Sequence, residues 1–227
     1  MGTVVSPESE LRKQLEKLKG PLFENNVSYM YLDSQGYVTV GVGHNLDAAK
    51  DHTELPFRVA RLERKAVKGG DKGKPIADNP VKGRLATKQE IKNDYDFLKA
   101  HLGLKAFNPT NKELKNYTTL ELKQEDIDAI FVKDINKHYA IAIKEFGKEF
   151  DGYPVMCQVA LFDIAFNCGS FKTFQTTFVP AIKGLGAHKG KSMAERWKYA
   201  ASVCSRGKVS AERNARIKEW LLTGAEG

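Results

Sequence analysis

Residues 31–44 read YLDSQGYVTVGVGH, and this stretch decides how the first half of the chain folds. Asp33 and Gly36 bracket the tetrapeptide DSQG, which is typical of a turn because Asp favours the first position and Gly the fourth. The residues after the turn alternate between valines and other side chains, which predicts a strand. On that strand Thr39 is expected to point away from the valine face.

Two carboxyl groups belong to this region, Glu24 upstream of the hairpin and Asp33 in its turn. Cleavage of a glycosidic bond needs one carboxylic acid that protonates the leaving oxygen and a second carboxylate that activates water or attacks the sugar. Apolar neighbours would favour the protonated form of Glu24, whereas Asp33 in a polar turn should stay ionised. On the hairpin alone, an ordinary turn-forming Asp33 is the favoured interpretation, because short motifs discriminate weakly.

A longer spacing pattern favours the catalytic interpretation. Eight residues separate Glu24 from Asp33, five separate Asp33 from Thr39, and GVGH follows at 41–44. This order resembles the phage-type lysozymes. The resemblance implies that Glu24 is the general acid, that Asp33 holds or activates the hydrolytic water, and that Thr39 orients it. It also implies inversion at the anomeric carbon, with the carboxyls about 6.5–9.5 Å apart to admit water.

The resemblance continues downstream in two further segments. AFNCG at 165–169 resembles the end of the family's central helix, which borders the cleft. AERNARI at 211–217 and LLTG at 221–224 resemble its arginine-rich closing helix. Three separated matches in the same order cover most of the chain.

The resemblance also implies supporting and substrate-binding residues. Arg213 is expected near Glu24, and His44 is expected to be structural beneath the hairpin. The substrate contacts that it implies are Phe166, Asn167, Thr176 and Thr177. Plain alternatives remain open: Phe166 as core, the two threonines as helix caps, and Arg213 and Arg216 as a solvated helix face.

The chain also departs from the family pattern. Asn25 stands where the family usually has Gly, and Gly20-Pro21 interrupts the preceding helix. Glu16 is the nearest rival acid, but its spacing from Asp33 is too long, which favours a surface role. Extra residues between 62 and 119 make the chain more similar to enlarged members, such as pesticin-like bacteriocin domains and lysozyme domains of secreted antibacterial effectors.

The predicted fold class is α+β, mainly α: a lysozyme-like two-lobed fold with a small β-hairpin lobe and a larger helical lobe. The predicted division is an N-terminal helix or leader at 1–19 and a catalytic domain at 20–227. Within that domain, we expect the small lobe at about 20–62, a basic insertion at about 63–119 and the helical lobe at about 120–227.

Several elements can be placed from local signals. Ser6 as cap and Pro7 in the first turn predict a helix to about residue 18. Thr87 to Glu90 is a capping box that should open a helix toward residue 102. Residues 68–84, rich in Gly, Lys and Pro, and 108–116 are predicted to be irregular.

The second half of the chain is predicted to be helical. A stripe at helical spacing predicts a long amphipathic helix with a core-facing side made of Ile127, Ile130, Phe131, Ile135, Tyr139, Ala142, Ile143 and Phe146. Pro154 should start a helix that is apolar on nearly every side and therefore central. Further helices are predicted near 193–203 and 211–222.

The charge balance favours an anionic partner. Lys+Arg 36 against Asp+Glu 28 gives +8, and residues 61–92 hold ten basic and four acidic residues. That stretch lacks the interleaved aromatic residues of a single-strand binding groove, which disfavours nucleic acid. A basic rim that holds the protein near anionic wall polymers and an ordinary solvated loop both remain open.

Metal, cofactor and disulfide chemistry are not indicated. The three cysteines form no Cys-x-x-Cys pair and are expected to be buried thiols: Cys157, Cys168 and Cys204. The histidines lack metal-site spacing, and Gly41-Val42-Gly43 lacks the rest of a dinucleotide fingerprint. We therefore predict no metal and no cofactor.

The expected function is that of a lysozyme, which cleaves the bond between N-acetylmuramic acid and N-acetylglucosamine in peptidoglycan. The alternatives are a non-hydrolytic wall-binding or membrane-disrupting module and an enzyme acting on a related glycan such as chitin. Expected partners are bacterial peptidoglycan and an immunity or inhibitor protein, with the chain itself a monomer. Neither a transmembrane stretch nor a signal peptide is evident, so delivery to the wall by a phage pore or a secretion apparatus is expected.

Overall fold

The computed structural model describes residues 4–20, 24–67, 81–105, 113–207 and 209–226. Its fold is α+β and mainly α, with a small antiparallel sheet, as the sequence predicts. Two compact units divide the chain. We call Lys19–Val132 the sheet unit, and Met1–Leu18 together with Lys133–Gly227 the helical unit.

The sheet unit is built on an antiparallel sheet of three strands in the order β1-β2-β3. These strands are β1 (Asn26–Leu32), β2 (Val38–Val42) and β3 (His44–Asn45). Tyr31 lies opposite Thr39, and the register shifts between Val27 and Tyr31. Every residue of β2 is buried, so the face that carries Thr39 is covered as well as the valine face.

A second, two-stranded sheet closes the base of the long inserted segment. It pairs β4 (Arg58–Val59) with β5 (Leu120–Glu121), the strands on either side of that segment in the sequence. Within this segment, Asp94 is fully buried and accepts hydrogen bonds from the backbone N–H groups of Thr119 (2.7 Å) and Leu120 (3.0 Å). The Arg64 guanidinium lies 2.8 Å from the same carboxylate, so the buried charge is paired.

The sheet unit also contains two α-helices. Helix α2 (Leu46–Ala49) comes before the inserted segment, and helix α3 (Lys88–Ala100) lies within it. The predicted capping box is confirmed: the Thr87 hydroxyl accepts from the N–H of Glu90, and the Glu90 carboxylate accepts from the N–H of Thr87. The helix ends at Ala100, two residues before the predicted end, and a short 3-10 turn covers Leu102–Leu104.

The long amphipathic helix is confirmed as α4 (Gln124–Phe146). Seven of its eight predicted core positions are buried, and only Ile143 is half-buried. The division between the two units falls within this helix, after Val132.

The helical unit consists of α1 (Glu10–Glu16), α5 (Val155–Cys168), α6 (Phe178–Lys183), α7 (Met193–Ser202) and α8 (Ala211–Leu222), with the second part of α4. Every residue of α5 from Cys157 to Ala165 is buried, and α1 and α8 pack against it. The predicted central helix is therefore confirmed. Trp197 on α7 is fully buried, with its ring edge-on to Tyr153 at 5.1 Å between centroids.

Two further details of the sequence prediction are wrong. The first helix begins at Glu10, because the hydroxyl of Ser9, rather than that of Ser6, accepts the free N–H of Arg12 at 3.1 Å. Cys168 is exposed, since it lies in the last turn of α5, beyond the buried segment; Cys157 and Cys204 are buried as predicted.

Parts of other predictions lie outside the described residues: Pro21, residues 68–80 of the predicted loop, and residues 108–112. The remainder of the second irregular stretch holds a 3-10 turn at Leu114–Tyr117. Among the residues that the structure describes, none of the helices combines the length and the apolarity needed to cross a bilayer.

A substitution at Gly224 tests the packing of the helical unit. A Cβ atom there would lie 2.7 Å from both the Cys157 sulfur and the Trp197 ring, neither of which has room to move. We expect Gly224→Ala to lower the free energy of unfolding by about 1–3 kcal/mol, the usual cost of overpacking a core. Urea unfolding followed by circular dichroism measures this change.

Gly152→Ala is the matched control, because a Cβ at Gly152 meets no atom within 4 Å. Its unfolding midpoint should stay close to that of the parent. Equal midpoints for Gly224→Ala and the parent would show that the described packing around Trp197 is incorrect.

Candidate active site

The turn of the hairpin is organised by the Asp33 carboxylate. Its Oδ1 accepts hydrogen bonds from the N–H groups of Gln35 (2.8 Å) and Tyr37 (2.9 Å). The backbone of Asp33 also bonds with Gly36 and Tyr37, and Gly36 has φ +85°, a conformation that favours glycine. All the described side-chain bonds of Asp33 use Oδ1, which leaves Oδ2 able to accept from a water molecule.

Thr39 lies one register position from this turn, opposite Tyr31 on the neighbouring strand. Paired residues on antiparallel strands project to the same face, so the two side chains are neighbours. Thr39 is 4% exposed, and its hydroxyl donates to the carbonyl oxygen of Tyr37 at 3.3 Å. A hydroxyl that donates within the hairpin keeps its lone pairs, with which it can accept from a bound water.

Glu24 is half-buried and lies two residues before β1, outside any helix. The family resemblance places the acid at a helix end, so the local backbone differs at this position. Two of the apolar neighbours expected to bury it, Leu22 and Phe23, lie outside the described residues.

The charges of both carboxyl groups influence the phenol of Tyr31. Burial raises the pKa of Tyr31 above its usual range, and the negative charges of Glu24 and Asp33 raise it further. Both charges therefore act at one buried hydroxyl on the hairpin. Glu24 precedes β1 and Asp33 follows it, so the convergence of these two side chains and Thr39 on one sugar linkage stays a prediction.

A network that the sequence analysis missed fixes the start of β2. The Asp47 carboxylate accepts hydrogen bonds from the N–H of Val38 (3.3 Å), from Lys99 Nζ (2.8 Å) and from the Tyr95 hydroxyl. Burial opposes ionisation of Asp47, but the bonds from Lys99 and Tyr95 outweigh it and lower its pKa. The carboxylate thus ties the strand that carries Thr39 to α3.

His44 occupies β3 and is 8% exposed. Its Nε2 lies 3.2 Å from Asp51 Oδ1, within hydrogen-bond distance. These contacts fit the structural role expected for His44.

The substrate residues implied by the resemblance belong to the helical unit. Phe166 is half-buried near the end of α5, with its ring 4.8 Å from that of His138 and 5.8 Å from that of Phe162. Asn167 is exposed, and its Nδ2 donates to the carbonyl oxygen (2.9 Å) and the carboxylate (3.3 Å) of Asp163. Its amide oxygen accepts none of the described hydrogen bonds.

Thr176 and Thr177 are both exposed. Thr177 directly precedes α6, but its hydroxyl makes no capping bond to that helix. Capping therefore does not explain Thr177, and sugar binding by either threonine stays a prediction.

A buried ion cluster anchors the end of α5, and the sequence analysis missed its centre. Asp163 is fully buried and pairs with Arg206 Nη1 at 2.8 Å and with Arg213 Nε at 3.0 Å. Asn214 accepts hydrogen bonds from the N–H of Arg206 (3.2 Å) and its Nε (3.3 Å). A lone Asp inside the apolar run VALFDIAF was the available signal, because a buried charge requires a partner.

This cluster shows that one of the two arginines of the closing helix is not solvated. Arg213 is 8% exposed and bonded to Asp163, so it is not part of a solvated face. Arg216 is exposed and pairs with Glu219 at 3.0 Å, as a solvated face predicts. The expected proximity of Arg213 to Glu24 stays a prediction.

Several basic residues of the inserted segment have acidic partners. Arg61 pairs with Glu121, Arg64 with Asp94 and Arg84 with Glu90. These arginines therefore serve the packing of the segment, and they favour neither a free basic rim nor an unpaired solvated loop.

Within the described ranges, no group of three or more His, Cys, Asp or Glu residues is arranged to hold a metal ion. No protein-family model matches this sequence, and no curated protein is significantly similar to it.

Asp163→Asn tests the ion cluster. The substitution keeps the shape of the side chain but leaves two buried guanidinium groups facing a neutral amide. We expect the free energy of unfolding of the helical unit to fall by about 3–5 kcal/mol, the usual cost of breaking a buried ion pair from one side. Denaturant unfolding followed by tryptophan fluorescence reports this loss, because Trp197 is buried in the same unit.

Glu219→Gln is the control, since it neutralises a carboxylate of the exposed pair with Arg216. Exposed pairs contribute little, so this variant should unfold like the parent. An Asp163→Asn protein as stable as the control would contradict a stabilising role for the cluster.

Proposed function

We propose that this chain is a lysozyme, a glycoside hydrolase that cleaves the β-1,4 bond between N-acetylmuramic acid and N-acetylglucosamine in bacterial peptidoglycan. The observation that carries the proposal is the geometry of the Asp33 turn, where two backbone N–H groups hold the carboxylate and Thr39 lies one register position away on β2. Glycoside hydrolysis requires two carboxyl groups, and Glu24 and Asp33 are the pair proposed to supply them.

The contacts of each side chain support a division of roles. The Asp33 carboxylate is fixed through Oδ1 and can bind the attacking water through Oδ2. Thr39, fixed by its bond to the Tyr37 carbonyl, can accept a second hydrogen bond from that water. Glu24, half-buried, is the candidate proton donor.

The reaction follows from these roles. Glu24 gives its proton to the glycosidic oxygen as the bond from that oxygen to the anomeric carbon breaks. Water attacks the same carbon from the opposite face and passes a proton to Asp33. The product has an inverted anomeric centre, which requires the carboxyls to stand about 6.5–9.5 Å apart.

The family resemblance implies four substrate contacts, and the surroundings of each side chain are compatible with sugar binding. The free amide oxygen of Asn167 can accept a hydrogen bond from an N-acetyl group, and its Nδ2 bonds to Asp163 hold it in place. Phe166, braced by His138, can pack against a sugar ring. Thr176 and Thr177 are exposed and able to bind hydroxyl groups.

Glu24→Gln tests the proposal directly. Glutamine keeps the shape of the side chain but cannot donate the required proton, so clearance of purified cell walls should fall by about 10²–10⁴-fold. Wall binding, measured by sedimentation with the walls, should persist. Turbidity decrease and pull-down are measured on the same preparation.

Glu16→Gln is the matched control, because Glu16 is the rival acid and pairs with Arg12 at 2.7 Å on α1. It should clear walls at the parental rate. A Glu24→Gln protein that clears walls as fast as the control would exclude Glu24 as the acid.

The substrate is identified from the released fragments. Mass spectrometry of fragments from defined peptidoglycan, digested in heavy-oxygen water, should show the label at a reducing-end N-acetylmuramic acid. Fragments from chitin but not from peptidoglycan would identify a related glycosidase. Wall binding without any fragments would identify a non-hydrolytic module.

A further inference from the structure

The inserted segment between β4 and β5 reaches the tip of the hairpin. Gly36 lies in the turn, and a Cβ atom built on it would be 3.3 Å from Lys105 Cδ and 3.6 Å from Leu102 Cδ2. Both of these residues belong to the inserted segment, Leu102 in the 3-10 turn that follows α3 and Lys105 directly after that turn. Two side chains of the segment therefore contact the turn that holds Asp33.

Tyr37 lies at the same tip, on the face that carries the candidate site. The N–H of Asp33 donates to the Tyr37 carbonyl oxygen at 2.9 Å, which continues the antiparallel pairing of β1 and β2 beyond Thr39. Residues two apart on a strand share a face, so the Tyr37 ring projects on the same side as Thr39. Thr39 is 4% exposed, Asp33 is half-buried and Tyr37 is 48% exposed. Tyr37 is therefore placed where this face opens to solvent.

We call Tyr37, Leu102 and Lys105 the tip patch. Single exposed apolar side chains are common on proteins and need no explanation. Here, however, an aromatic ring and a leucine that is 49% exposed lie on either side of one turn, together with a lysine. The Tyr37 hydroxyl makes none of the described hydrogen bonds, so the ring offers both an apolar face and a polar tip to a ligand.

The charge of Lys105 is not used within the fold. Arg61, Arg64 and Arg84 of the same segment each pair with a carboxylate. In the part of the chain that the structure describes, no carboxylate pairs with Lys105, which is exposed. Its field is therefore not cancelled by an adjacent acid, and it can attract an anionic group that comes to the tip patch.

We propose that the tip patch binds the acidic peptide attached to the lactyl group of N-acetylmuramic acid. The inference rests on the proposed function, in which water held at Asp33 attacks the anomeric carbon of that same sugar. The peptide combines methyl groups, which suit Tyr37 and Leu102, with free carboxylates, which suit Lys105. Chitin carries no such peptide, so this contact selects peptidoglycan over a neutral glycan.

Lys105→Glu tests the charge of the tip patch. Two substrates are compared: soluble uncrosslinked strands from purified walls, and the same strands after an amidase has removed their peptides. The substitution should lower kcat/KM about fivefold on the peptide-bearing strands, mainly through a higher KM, because the contact is made away from the bond that breaks. On the stripped strands kcat/KM should stay within about twofold of the parental value. Each rate is normalised to folded protein by circular dichroism.

Tyr37→Ala tests the apolar part of the tip patch. The bonds of Tyr37 within the turn use its backbone N–H and carbonyl groups, so alanine keeps them. Loss of the ring should also lower kcat/KM about fivefold on peptide-bearing strands only. Added salt separates the two contacts, because it screens an ion pair and not an apolar contact. At high ionic strength the Lys105→Glu defect should shrink, whereas the Tyr37→Ala defect should remain.

Lys82→Glu is the matched control for the charge change. Lys82 is an exposed lysine of the same segment, but its neighbour Gly83 bonds to Val59 on β4 at 2.8 Å and not to the hairpin tip. This variant should match the parent on both substrates. A defect of Lys82→Glu equal to that of Lys105→Glu would show a general effect of charge and would overturn the proposed site.

The remaining outcomes separate the two proposals, with Glu24→Gln in the same assay. If Lys105→Glu and Tyr37→Ala lose equal activity on both substrates, the tip patch contacts the sugar and not the peptide; if both keep parental rates, it contacts neither. In both cases the peptide site is wrong, and the proposed function stands as long as Glu24→Gln is inactive. If Glu24→Gln remains active, or the parent cuts neither substrate, the proposed function fails and the inference fails with it.

Discussion

The hydrogen bonds to Asp33 Oδ1 are the constraint on which the candidate site depends. Two backbone N–H groups converge on this one oxygen, and they close the turn that sets the register of β1 and β2. That register places Tyr31 opposite Thr39. A slip of one residue would send both side chains to the other face, so the structural and the proposed catalytic roles of Asp33 are inseparable. The turn-forming and catalytic interpretations are therefore compatible, because they use different oxygens.

Elements with strong local signals could be predicted from the sequence. The capping box at Thr87, the apolar stripe of α4 and the uniformly apolar α5 each contain, within a few turns of helix, the information that specifies them. The start of α1 was wrong because Ser6 and Ser9 are both acceptable caps, and the choice depends on which hydroxyl meets a free N–H. The prediction that Cys168 is buried was wrong, because an apolar run shows that a helix is buried but not at which residue its burial ends.

The contacts that hold the candidate site could not be predicted from local signals, because the residues that form them are distant in sequence. Asp47 reaches Tyr95 and Lys99 about fifty residues away, and Asp163 meets Arg206 and Arg213 over a similar span. A sequence shows that a buried carboxylate needs a partner, but many arginines and lysines qualify. The candidate set of Glu24, Asp33 and Thr39 could be proposed from the sequence because all three lie within one short stretch of the chain.

Net charge contributes less to the functional argument than its value of +8 suggests. In the inserted segment, Arg61, Arg64 and Arg84 are each held by a carboxylate, and two of these pairs involve buried acids. Charges that are paired within a fold attract an external anion weakly, because their fields largely cancel within a Debye length. The proposal of a wall-degrading enzyme therefore rests on the Asp33 turn, where the carboxylate is held through Oδ1 with Thr39 one register position away, and not on the net charge. The positions of particular side chains indicate a chemical reaction, whereas an excess of lysine indicates only the sign of the charge on a partner.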